Sequence, residues 1–82
     1  MNLSEIRELV QNSLRGFRPD IKPLGERVLL KGRFYAGRRF EFEGFSAVWF
    51  IDADEIKFFD GSGKLLFSIH PSETQQEVRR AA

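Results

Sequence analysis

Two hydrophobic periods divide the chain. From Leu3 to Phe17 the apolar residues Leu3, Ile6, Leu9, Val10, Leu14 and Phe17 recur at helical spacing. From Arg27 onward apolar and polar positions alternate with a period of two. The first pattern predicts one amphipathic helix over about 3–15. Asn2 is placed to cap it, with Glu5 three residues on to complete a capping box. Gly16 suits the C′ position, where a left-handed residue ends a helix. Pro19, Pro23 and Gly25 mark residues 17–26 as a connector.

The second pattern predicts strands at about 27–35, 38–44, 46–52, 55–60 and 64–69. Residues directly opposite in an antiparallel pair share a face, so register can be argued. A three-residue loop at Ala36-Gly37-Arg38 sets Phe34 against Phe40, Gly32 against Phe42, Arg33 against Glu41 and Lys31 against Glu43. Apolar then meets apolar and plus meets minus. A turn over Asp52–Glu55 pairs Ile51 with Ile56 and Trp49 with Phe58. A two-residue loop at Ser62-Gly63 pairs Phe58 with Phe67 and Ile56 with Ile69. The helix is then expected to pack on a face holding Phe34, Phe40, Phe42, Ala47, Trp49, Ile51, Ile56, Phe58, Leu65, Phe67 and Ile69. After His70-Pro71, Ser72 and Gln75 form a second capping box, opening a short, polar C-terminal helix whose apolar residues are Val78, Ala81 and Ala82. The expected class is α+β: an N-terminal helix, a five-stranded antiparallel meander as an open curled sheet or small barrel, and a short C-terminal helix.

The alternation is imperfect, and that bears on function. Residues 46–51 are nearly all apolar, as in a strand buried on both faces. In this register Val48, Phe50, Phe59 and Leu66 fall on the face opposite the core. Each would contribute about 1.5–3 kcal/mol if covered. Curling into a barrel, a terminal helix or another protein chain could cover them.

Composition narrows the setting. Eighty-two residues make one domain, and nine Phe argue for a folded, aromatic core. With no Cys, disulfides, thiolate catalysis and thiolate metal sites are excluded. No apolar run approaches a membrane span and no signal peptide opens the chain, so no membrane association and a cytoplasmic location are expected.

The net charge of +1 hides a split. Residues 1–39 hold nine Lys/Arg and four acids, a balance of +5; residues 40–82 hold four and eight, a balance of −4. Adjacent strands complementing one another would explain this, and so would a basic face meeting an anion.

Lys31, Arg33, Tyr35, Arg38 and Arg39 interleave cations with an aromatic ring, as single-stranded nucleic-acid sites do. Asp52, Asp54, Glu55 and Asp60 supply oxygen ligands but stop short of an EF-hand loop. Gly61-Ser62-Gly63-Lys64 lacks the spacing and the strand-to-helix context of a phosphate loop. His70, the sole histidine, has no nucleophile and orienting carboxylate arranged around it in sequence. No catalytic residue, metal or cofactor is therefore expected. The sequence points to a non-catalytic module that binds protein, as a homodimer or on another partner, through Val48, Phe50, Phe59 and Leu66. The alternative is a small nucleic-acid-binding module using the basic hairpin.

Overall fold

A computed structural model describes residues 2–73. Helix α1 (Leu3–Arg15) is followed by β1 (Pro23–Lys31), β2 (Phe34–Phe42), β3 (Phe45–Phe50), β4 (Glu55–Asp60) and β5 (Leu65–Ile69). The five strands form one antiparallel sheet in the order of the chain, open, with β1 and β5 as its edges. A helical segment begins at residues 71–73. The rest of the expected C-terminal helix, including Val78, Ala81 and Ala82, lies outside the described residues.

The start of α1 follows its sequence signal. The Asn2 side chain accepts the Glu5 N–H at 2.9 Å, and the Glu5 carboxylate accepts the Asn2 N–H at 3.1 Å. The end does not follow the expectation. Gly16 has φ −64°, so it continues the right-handed turn as the C-cap. The orphan carbonyl of Leu14 is satisfied instead by the N–H groups of Phe17 and Arg18.

Ile6, Val10 and Leu14, spaced four apart, form the buried stripe of α1. They pack with Ile21, Phe40, Phe42, Ala47, Ile56 and Phe58 on one face of the sheet, and Trp49, Phe67 and Ile69 close the margins. The Phe58 and Phe67 rings stack at 4.4 Å between centroids, and Phe17 stacks outside them on Phe67 at 5.6 Å.

The β4–β5 register is the expected one, with Ile56 opposite Ile69 and Phe58 opposite Phe67. Asp60 fixes its turn by accepting from the Ser62 N–H and hydroxyl and from the Lys64 N–H, with Gly63 at φ 89°. One correction applies at its base. The loop is Gly61, Ser62 and Gly63, closed by the Asp60 N–H donating to the Lys64 carbonyl, not the two residues Ser62-Gly63. Leu65 then pairs with Phe59 across a bulge, which takes Leu65 off the core face and leaves Leu66 unpaired.

The β3–β4 register is two residues from the expected one. Trp49 stands opposite Ile56 and Ala47 opposite Phe58. Ile51 lies in the turn, its N–H donating to the Ala36 carbonyl. A slip of two keeps every side chain on its face.

The first hairpin is a larger correction. The turn is Gly32-Arg33, not Ala36–Arg38: Lys31 pairs with Phe34, Leu30 with Tyr35, and Glu26 with Phe40. Gly32, at φ 64°, supplies the positive φ that a two-residue hairpin needs at its first central position. Gly37 serves a different purpose. A Cβ there would stand 1.8 Å from the Trp49 carbonyl oxygen, so only glycine lets β2 approach β3. Ala36 is the extra residue of a bulge between the Leu29–Gly37 and Leu30–Tyr35 pairs, and it inverts the alternation beyond it. Phe34 therefore leaves the core face and stands 79% exposed.

Candidate interaction surfaces

The sheet face away from α1 is built from the outward positions of all five strands. Its central row reads Arg27, Arg39, Val48, Lys57 and Ser68 across the ladders. Phe50 lies opposite Glu55 on one side of that row, and Phe59 lies opposite Ser46 on the other. Val48 is 7% exposed, standing between Arg39 and Lys57 in that row, whereas Phe50 is 37% exposed and Phe59 and Leu66 are half-buried. The four residues expected to form a protein interface thus lie on or beside one sheet face. Leu66, the bulge residue next to core-packed Phe67, is the most peripheral.

Charges on this face are arranged diagonally. Arg27 stands directly opposite Arg39, and Glu41 holds both, at 3.1 and 3.7 Å. The Lys57 ammonium reaches Glu55 at 4.0 Å and sits 5.7 Å from the Phe50 ring centroid. A shallow, open depression of about 680 Å³ runs beside Leu24, Arg39, Glu41, Val48 and Phe59. It is a groove across a surface, not the enclosed cleft that buries most of a small ligand.

The α1 side carries the second charged cluster. Arg7 donates to both Glu26 oxygens, at 2.7 and 3.0 Å, and Arg38 donates to Glu26 at 2.9 Å. These hydrogen bonds, Arg7's foremost, hold the Glu26 carboxyl below the usual carboxylate range. Arg38 also donates to the Tyr35 hydroxyl at 3.3 Å and lies 5.9 Å from its ring centroid. The Asp60 carboxyl is likewise held low by hydrogen bonds, first that of the Ser62 hydroxyl, then that of the Lys64 amide.

The five residues named for an anion site are thereby separated. Arg38 and Tyr35 belong to the Glu26 cluster beside α1, and Arg39 belongs to the opposite face. Lys31 and Arg33 sit at the hairpin tip, without the Glu43 and Glu41 partners expected for them. The sequence reading missed the exposed apolar residues of this hairpin: Val28, Leu30 and Phe34. The signal that could have located them is Gly32 between two cations, a turn residue with no other purpose in a strand.

Asp54, at φ 49°, is engaged at the end of the sheet. Its carbonyl accepts from His70 Nδ1 at 2.8 Å, and its carboxylate accepts from the Ser72 N–H at 3.4 Å. Among the described residues no group of three or more His, Asp or Glu could hold a metal ion, and no helix is long and apolar enough to cross a membrane. Comparison with protein-family models, curated proteins and solved structures finds no match to this chain.

Proposed function

We propose that the chain is a non-catalytic interaction module that docks a protein, a second copy or another chain, through the sheet face opposite α1. One observation carries this reading. The α1 stripe and its core occupy one face of the sheet, while Phe50, Phe59 and Leu66 stay accessible on or beside the other, around a buried Val48. Apolar groups gathered on one face of a small domain gain by leaving water, at about 25 cal/mol per Å² covered. Between Phe50 and Phe59 the central row of Arg39, Val48 and Lys57, with Glu41 and Glu55 beside it, supplies polar partners for a docked chain.

The test is size-exclusion chromatography with light scattering on the wild type and on Phe59→Asp. The expected result is a wild-type mass above the 9.5 kDa monomer, or a retained partner protein, with either lost in Phe59→Asp. A strictly monomeric wild type that retains no partner overturns the proposal.

A further inference from the structure

We infer that the tip of the β1–β2 hairpin is a binding site for single-stranded nucleic acid, with Lys31 and Arg33 taking phosphates and Phe34 stacking on a base. Residues 27–39 contain five cations and no acid. Three of the five are matched from outside the hairpin tip: Arg38 by Glu26, and Arg27 and Arg39 by Glu41. Lys31 and Arg33 flank Gly32 at the turn and have no ion-pair partner among the described residues.

Phe34 stands directly across the ladder from Lys31 and next in sequence to Arg33, so an exposed ring stands beside two cations that no described carboxylate pairs. Opposed side chains in an antiparallel pair have Cβ atoms about 5 Å apart. That places the Lys31 ammonium within one nucleotide's reach of the stacking ring, with Arg33 the adjacent turn residue. Phe34 is the most exposed large apolar residue described, at 79%. A ring left in water beside cations matches what a base and its phosphate need: a flat apolar face and a positive edge. Tyr35 turns its hydroxyl to Arg38 on the α1 side, so Phe34 is the ring that the tip presents.

Charge decides between occupants. A second copy meeting this tip would bring its own Lys31 and Arg33 against the same cations. An anionic bilayer is served by clusters of about four to eight basic residues, and two do not make one. Two cations and one ring suit a short stretch of single strand.

The test is fluorescence anisotropy with a labelled oligothymidylate and a labelled oligouridylate, titrated with the full chain at several salt concentrations. Binding is expected at about 100 µM protein or below in low salt, within the range of sequence-independent contacts. The log–log salt slope should be about −1.4, for two phosphates on a single strand. Phe34→Ala should weaken binding by roughly tenfold, the loss of one stacked base. Arg33→Glu should abolish it. Both positions are exposed, so circular dichroism should be unchanged. Phe59→Asp, at the far end of the sheet, should bind the oligonucleotides as the wild type does, which separates this site from the protein-docking face. No binding by the wild type, binding indifferent to Phe34→Ala, or binding to phosphatidylglycerol vesicles without binding to oligonucleotides overturns the inference.

Discussion

Arg27 and Arg39 stand directly opposite one another in the β1–β2 ladder, and a single carboxylate, Glu41, bridges the two guanidinium groups. Like charges in direct opposition destabilise a strand pair, so this hairpin depends on a diagonal neighbour to neutralise them. Glu41→Gln should remove that neutralisation. All three side chains are substantially exposed, and solvent screening limits the loss to about 0.5–1 kcal/mol. Urea unfolding should show the loss at low ionic strength and a smaller one in high salt.

Gly37 and Gly25 make a matched pair of tests. Gly37→Ala places a Cβ against the Trp49 carbonyl, and backbone cannot yield as a flexible side chain does. The β2–β3 pairing should weaken by about 2–3 kcal/mol, the scale of a forced overpacking, and thermal unfolding should report it. At Gly25 an added Cβ meets nothing within 4 Å and φ is not positive, so Gly25→Ala should leave the melting temperature near that of the wild type.

The Phe58 ring is fully buried and stacked on Phe67 beneath α1. Phe58→Ala should cost about 3–5 kcal/mol. That is a large share of the stability of so small a domain, so the variant should be mostly unfolded at 37 °C by circular dichroism.

Acid should loosen the fold through Glu26 and Asp60. Both carboxyls have folded-state pKa values below their ordinary values. The stability they contribute is therefore complete above the ordinary carboxylate pKa of about 4 and is lost as pH falls through the lowered folded values. Chemical unfolding followed from pH 6 down to pH 2 should show a falling limb below about pH 4. Glu26→Gln and Asp60→Asn should each flatten that limb and leave its neutral end at a lower plateau.

Which features were legible in the sequence follows from how each was encoded. The capping box and the 3.6-residue stripe are local, and α1 matches them to the residue at its start. The β4–β5 register was legible from its apolar pairs Ile56–Ile69 and Phe58–Phe67. The loop itself is three residues long, because Asp60 closes it on Lys64 and a bulge takes up the extra residue. The β3–β4 register slipped by two, yet Trp49, Ile56 and Phe58 kept their face because the side-chain period is two. The first hairpin was misread because its charges were matched straight across, Arg33 to Glu41 and Lys31 to Glu43. The protein matches them diagonally, Arg27 to Glu41 and Arg38 to Glu26. The bulge at Ala36 then moved Phe34 off the core face, and nothing local in Tyr35-Ala36-Gly37 announces a bulge that arises from pairing with Leu29 and Leu30. The outward set Val48, Phe50 and Phe59 was legible from alternation alone, whereas the exposed Lys31–Phe34 tip depended on the register that was misread.

The docking face is tested most directly by placing a photo-crosslinking side chain at position 59, with the same side chain at exposed Glu8 on α1 as the control. Irradiation in cells should give one discrete protein adduct from position 59, a dimer of the chain or a single heteromeric product, and none from position 8. No adduct from position 59, or the same products from both positions, would contradict the account.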